Sequence, residues 1–317
     1  MIWCRQANAP HGTETGGEVE TIQATWLGER ATPQLIWAAA GRLGWAWSAL
    51  APERRALATA QLRAALPHLT EAEAEATIQR MFHHLAALPL ELLAAAAADV
   101  APSSPDRIDL GGAGILTTLR RHHLTDALGE GRGALIVSAH VGNFELALHG
   151  EALQGVPLSV VTKRLGSPWL DRLWRRLRQG SGLEVIDDDH SLTAISGALR
   201  RGRAVVMTLD QHANREHAVT VPFFRRPAWT HRGLALLSAR SGAPIVPAFA
   251  TRSGPGRHTL RYMAPLTFER GGRDAREAIV HHTARCTRLI ERVVRAQPDQ
   301  WTWLHRRWKG EGVMGGR

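Results

Sequence analysis

Thiols are scarce in this chain. Cys4 and Cys286 are its two cysteines, too few for a disulfide framework, and neither sits in a CxxC, so a reducing compartment is expected. Lysine is nearly absent, with Lys163 and Lys309 alone; the positive charge is therefore almost all arginine, which suits bidentate contact with phosphate and equally fits a compositional bias. A cleavable leader is not visible, because MIWCRQANAPHG lacks a basic region followed by a sustained apolar stretch. No segment reaches the roughly 20 apolar residues of a membrane span. The nearest, LIWAAAGRLGWAWSAL (35–50), is short and is interrupted by Gly41, Arg42 and Gly44. Its three tryptophans, Trp37, Trp45 and Trp47, fit a helix lying in a headgroup layer, and the same stretch fits a buried packing helix. Internal repeats at solenoid periods and long low-complexity segments are also missing.

What is present is length and charge. The chain has 317 residues, 39 basic against 29 acidic, a formal net charge of +10 and a pI near 11.1. It is long enough to bury a large core, and its charge calls for an anionic partner or surface, with nucleic acid and acidic lipid headgroups both suitable. Residues 1–30 carry no apolar periodicity and are expected to be disordered. Residues 31–105 read as a helical region with a possible membrane-surface role: ERRALATAQLRAAL repeats apolar residues at three- and four-residue spacing, and Thr70 with Glu73 forms a capping box. APSSPD closes that region.

From Leu116 the texture changes. ALIVSAH (134–140), PLSVVTK (157–163), LEVID (183–187), AVVMTLDQ (204–211) and APIVPAFATR (243–252) are short, continuous apolar runs separated by helical segments. That alternation predicts an α/β domain over 106–317, a largely parallel central sheet flanked by helices. RHTLRYMAPLTF (257–268) alternates and is expected to pair antiparallel at one edge, and a long helix is predicted over about 273–297.

The chemistry concentrates in SAHVGNFELA (138–147). His140 follows a predicted buried strand, where ligands of open α/β sheets usually bind, and Glu145 comes five residues later. Five residues on a regular helix turn through about 500° and do not share a face. A turn through Val141–Asn143, with Gly142 free to bend and Asn143 as N-cap of a helix beginning at Phe144, lets the two side chains converge. A carboxylate on one ring nitrogen makes the other a better proton acceptor, so the expected target is a hydroxyl.

This segment resembles the His-x4-acid motif of the late lipid A biosynthesis acyltransferases, within the wider glycerolipid acyltransferase superfamily. TKRLGSPWLDRLWRRLRQGSG (162–182), MTLDQHANREHAVTVPFFRRPAWTHRGLALLSARSGAPIVPAFATR (207–252) and PDQWTWLHRRWK (298–309) are similar to that family's other blocks, in the same order. The resemblance implies a glycerolipid acyltransferase-like fold and transfer of a fatty acyl chain from acyl carrier protein, or acyl-CoA, to a hydroxyl of a membrane glycolipid, without a cofactor or metal and without an acyl-enzyme. It implies His140 as general base and Glu145 as the group that orients it. Arg164 and Arg178 would bind the acceptor headgroup or assist the pair, and Asp210 and Gln211 would match the family's Asp-Gln step, Asp210 positioning an arginine or the acceptor. Asn143 joins them as a substrate-side residue. Arg172, Arg175 and Arg176 read as a solvated helix face.

Further expectations follow from the same blocks. Phe223, Phe224 and Trp229 beside Arg225 and Arg226 suit an acyl chain next to an anionic headgroup, or else a loop packed on the sheet. HRRWK near the C-terminus reads as a positive, aromatic surface for membrane or carrier protein, and Cys286 as a packing residue. The implied partners are acyl carrier protein, an anionic glycolipid and the cytoplasmic face of the inner membrane, with peripheral or monotopic attachment. Two departures stand out: the family's N-terminal membrane helix is short and broken here, and its Tyr-Arg-Pro-like stretch reads Thr162-Lys163-Arg164, leaving the acceptor open to phosphatidylinositol mannosides and other glycolipids. Two rival readings are a hydrolase with a metal on His140, Glu145, Asp210 and His212, for which no HExxH spacing exists, and a nucleic-acid binder, for which no helix-turn-helix, zinc finger or RNA-recognition motif exists.

Overall fold

The computed structural model describes residues 32–98, 102–188 and 191–310; the expectation for residues 1–30 lies outside them. Three helices come first, α1 (Pro33–Leu50), α2 (Pro52–Ala65) and α3 (Glu71–Ala96). Each has its start written in the chain: Pro33 and Pro52 stand in first turns, where a missing N–H costs nothing, and Thr70 with Glu73 forms the predicted capping box. α1 buries Ile36, Ala40, Gly44 and Ser48, one residue per turn, against α3. Gly44 makes that approach possible, since a β-carbon there would lie 2.7 Å from the His83 backbone.

The strands are β1 (Pro102–Ser104), β2 (Arg107–Asp109), β3 (Ile115–Leu119), β4 (Ala134–Ser138), β5 (Leu158–Thr162), β6 (Glu184–Asp187), β7 (Ala204–Thr208), β8 (Ala218–Phe223), β9 (Arg226–His231), β10 (Ile245–Gly254) and β11 (Arg257–Tyr262). The helices among them are α4 (His122–Gly129), α5 (Phe144–Leu153), α6 (Pro168–Gly180), α7 (Ser191–Arg200), α8 (Gly233–Ser241) and α9 (Ala275–Ala296). Nine strands form one sheet in the order β1-β2-β3-β11-β10-β4-β7-β5-β6, and β8 and β9 form a separate hairpin. The block β10-β4-β7-β5-β6 is parallel throughout, the predicted α/β architecture. β11 does pair antiparallel with β10, but it is interior, with β3 parallel on its other side, so the expected edge position is wrong. The edge is supplied by β1 and β2, whose three residues each are too short to read as strands.

β4 shows how the sheet separates two cores. Leu135 and Val137 face the cluster built with α2, α7, α8 and α9, whereas Ala134 and Ile136 face the one built with α4 and α5, the two-residue period of a strand covered on both sides. α3 serves both, with Ile78, Met81 and Phe82 in the first and Ala94 and Ala95 in the second.

The β8–β9 hairpin turns on Phe224 and Arg225, both at positive φ, 52° and 62°. Two-residue hairpin turns require this, and glycine or asparagine normally supplies it. Here tertiary contacts hold the strained turn. The Phe224 N–H donates to Glu291 at 2.7 Å, and its ring packs on Phe223 and near Trp303 and Trp308. Phe223 and Phe224 are thus core residues rather than an acyl-chain surface. The tail is corrected in the same way: Trp301, Trp303, Arg307 and Trp308 are buried, Arg307 donating to the Trp229 carbonyl at 2.7 Å and the Thr230 hydroxyl at 2.5 Å. Only Arg306 and Lys309 of HRRWK are exposed.

Candidate active site

The adjacent parallel strands β4 and β7 place Ser138 opposite Thr208. Each chain continues two residues past that register pair, which brings His140 and Asp210 side by side beyond the carboxyl edge of the sheet. The imidazole Nδ1 lies 2.9 Å from Asp210 Oδ1. Asp210 Oδ2 accepts the His140 backbone N–H at 3.0 Å and the Trp301 indole N–H at 2.8 Å. Asp210 is fully enclosed, while the His140 side chain keeps 27% of its surface open. Since the carboxylate can only accept, Nδ1 carries the proton and Nε2 presents its lone pair outward, where the Gln211 side-chain nitrogen stands 3.5 Å away.

Electrostatics agree with this assignment. Burial opposes charge on both groups, yet His140 and its hydrogen bonds hold Asp210 at a pKa of about 2. For His140 burial works downward, but the charge and hydrogen bond of Asp210, with a smaller contribution from Glu145, raise its pKa.

Glu145 is therefore not the residue that orients His140. It lies in the first turn of α5, where the helix dipole favours a carboxylate, and both its oxygens are taken by Arg178: Nε to Oε2 at 3.0 Å and Nη2 to Oε1 at 2.5 Å. Arg178 is the one buried residue of α6, and its Nη1 lies 3.4 Å from the Thr162 hydroxyl. The Arg178 guanidinium is thus engaged by Glu145 rather than by the His140–Asp210 pair. Arg164 is exposed and pairs with Asp187 at 3.2 Å, not with the His140–Asp210 pair.

Asn143 is also reassigned. Its Oδ1 caps α5 by accepting the Leu146 N–H at 3.0 Å, as the N-cap reading requires, but its Nδ2 donates to the buried Glu91 at 2.8 Å. With 1% of its surface exposed, it faces the interior and no substrate. Between His140 and Asn143, Gly142 adopts φ +58°, and a β-carbon there would lie 2.6 Å from the Ala250 carbonyl oxygen; the turn passes too close to β10 for any other residue.

The rival metal set is not assembled. Among the described residues no group of three or more His, Cys, Asp or Glu side chains converges to hold an ion, and Glu145 is occupied by Arg178. Cys286 is buried, which pushes its thiol up to about 12, so it is a packing residue. A cavity of about 830 Å³ between the β8–β9 hairpin, α8 and α9 is lined by Trp229 but by none of His140, Glu145, Arg164, Arg178, Asp210 and Gln211. Sequence reasoning missed the partnership of Asp210 with His140 and the part of Trp301 in it.

Several known proteins are similar in sequence to this chain. It is 29% identical over 196 residues to the lipid A biosynthesis lauroyltransferase of Escherichia coli K12, covering 60% of this chain and 61% of the relative. To the lipid A biosynthesis myristoyltransferase of the same organism it is 26% identical over 271 residues, covering 84% and 76%. To the phosphatidylinositol mannoside acyltransferase of Mycobacterium tuberculosis it is 28% identical over 138 residues, covering 42% and 43%. The model of the bacterial lipid A biosynthesis acyltransferases matches residues 22–310, a span that includes every described residue, and the protein belongs to that family.

Proposed function

We propose that the protein is an O-acyltransferase that moves a fatty acyl chain from a carrier thioester to a hydroxyl of an anionic membrane glycolipid, with His140 as general base. The observation that carries this reading is the 2.9 Å contact between His140 Nδ1 and the enclosed Asp210, in a member of this family. Nε2 takes the proton of the acceptor hydroxyl as its oxygen attacks the thioester carbonyl carbon. The tetrahedral intermediate then collapses, the C–S bond breaks, and the departing sulfur receives the proton from the imidazolium. Oxygen–carbon bond formation, carbon–sulfur cleavage and one relayed proton balance the reaction, and no enzyme nucleophile is used. The donor is acyl carrier protein or acyl-CoA. The acceptor is a lipid A precursor; a phosphatidylinositol mannoside is the second reading, on the similarity to the mycobacterial enzyme.

Contact with the cytoplasmic face of the inner membrane is part of this proposal. Among the described residues no helix is long and apolar enough to cross a bilayer. Two surfaces support attachment from one side. α1 exposes Leu35, Leu43, Trp45, Trp47 and Leu50, with 67% of Trp45 open. The start of α6 exposes Trp169 and Leu170, and the segment leading into it exposes Leu165 after exposed Lys163 and Arg164. Aromatic and aliphatic groups beside cations suit an anionic interface.

The test is transfer of radiolabelled acyl groups from acyl carrier protein to a glycolipid acceptor by the purified chain and by His140→Ala. Wild-type turnover with a loss of about a hundredfold or more in the variant is expected for removal of a general base. Undiminished transfer by the variant would refute the assignment of His140. Mass spectrometry of lipids from cells with and without the protein would identify the acceptor.

A further inference from the structure

We infer that Trp301 is a positioning residue for the His140–Asp210 pair, its indole N–H fixing which carboxylate oxygen faces the imidazole. The inference rests on the general-base reading above. A carboxylate has two equivalent oxygens and turns readily about its terminal bond. Here Oδ2 is held by the Trp301 N–H at 2.8 Å and the His140 backbone N–H at 3.0 Å, which leaves Oδ1 to the ring at 2.9 Å. Both donors are needed to define the plane of the group. With the plane defined, the imidazole is held as the Nδ1–H tautomer, the form with its Nε2 lone pair toward solvent.

Trp301 is itself secured to the elements it serves. It forms an isolated β-bridge with Val141, directly after His140. The carbonyl of its neighbour Gln300 accepts the Gly142 N–H at 3.0 Å. The Gln300 side chain accepts the Arg252 N–H at 2.8 Å and donates to the Arg252 carbonyl at 2.7 Å, copying a strand partner for β10. The indole packs edge-on against Trp303 and beside Phe223. A segment far from His140 in the chain is thus stitched to the catalytic turn on one side and to the sheet on the other.

Trp303 provides a matched control. It too is enclosed, and its indole N–H donates at a similar distance, 2.7 Å, to the carbonyl of half-buried Pro298. Trp301→Phe and Trp303→Phe each remove one indole hydrogen bond and similar volume, but only the first touches Asp210. The experiment compares both variants with the wild type by steady-state transfer kinetics and by ¹⁵N NMR of the His140 ring, assigned with His140→Ala. Trp301→Phe is expected to lower kcat by about tenfold or more, with KM for donor and acceptor within about twofold, and to convert part of the Nδ1–H signal to the Nε2–H tautomer. Trp303→Phe should leave the tautomer unchanged and kcat within about threefold. Trp301→benzothienylalanine, which keeps the bicyclic shape and replaces N–H by sulfur, gives the same comparison should the phenylalanine variant fold poorly. Equal kcat losses in the two phenylalanine variants, or a wild-type tautomer without the 301 indole N–H, would overturn the inference. The NMR measurement requires no turnover, so a chain without transfer activity would refute the proposed function while the tautomer result still decided the role of Trp301.

Discussion

At the scale of single residues, the charge on His140 is decided by a contest between burial and a carboxylate. Burial alone would hold the ring neutral, and Asp210 reverses that by charge and hydrogen bond. Asp210 itself, at a pKa of about 2, stays ionised throughout the working range. The sign of the pH dependence follows. With the His140 pKa raised, the ring is imidazolium on the acid side and cannot accept a proton, so kcat/KM should rise with pH through a midpoint above the ordinary histidine value. Asp210→Asn removes the opposing charge and leaves the burial, so the midpoint should fall while kcat drops by about a hundredfold or more; pH profiles of both proteins measure the two effects. An unmoved midpoint would remove Asp210 from the dyad. His140 and Asp210 were each legible in the sequence as strand-end residues, two positions beyond Ser138 and Thr208. Their partnership was not, because it depends on β7 lying next to β4, with β5 and β6 displaced outward, and sheet order leaves no mark in local spacing. Glu145, close in sequence, looked the better partner, but the α5 N-terminus directs it to Arg178.

At the scale of elements, α6 is anomalous because Arg178 is its one buried residue. The helix is held to the fold by the Arg178–Glu145 pair, by Arg175 on Asp187 of β6 and by the half-buried Leu173, Trp174 and Leu177. Arg178→Ala would strand the Glu145 carboxylate in an enclosed position, and a stability loss of about 3–5 kcal/mol in urea unfolding is expected. Changing the apolar start of the same helix should act differently. The double variant Trp169→Asp, Leu170→Asp is expected to weaken sedimentation with anionic phospholipid vesicles by about tenfold or more, through lost apolar contact and added charge repulsion, and to leave urea stability unchanged because both residues are already in solvent. Wild-type vesicle binding by that variant would remove α6 from the membrane surface. Element boundaries were largely readable where side chains cap helices, as at Thr70 and Asn143. The β8–β9 hairpin was not readable, since Phe224 and Arg225 occupy positive-φ positions that glycine or asparagine would have advertised.

Across the whole molecule, one buried charge network joins the helical region to the catalytic turn. Glu91 of α3 pairs with Arg252 of β10 and accepts from Asn143. Arg252 also contacts His84, which burial and the arginine's charge hold at about 3 and therefore neutral, and lies over the Trp37 ring at 4.8 Å. Glu91→Ala should cost about 3–5 kcal/mol in urea unfolding by leaving Arg252 enclosed without its anion; a loss below about 1 kcal/mol would show the network to be incidental. The parallel sheet and its flanking helices were legible because continuous apolar strands announce burial on both faces. The tail was misread, since arginine and tryptophan in WTWLHRRWK have surface habits and only tertiary contacts reveal that Arg307 and three tryptophans are enclosed. The central claim is that Asp210, not Glu145, charges and orients the base. Its most direct test is an NMR titration of the His140 ring in the wild type, Asp210→Asn and Glu145→Gln. The expected result is a raised pKa in the wild type, a clear fall in Asp210→Asn and a smaller fall in Glu145→Gln; a larger fall in Glu145→Gln than in Asp210→Asn would contradict it.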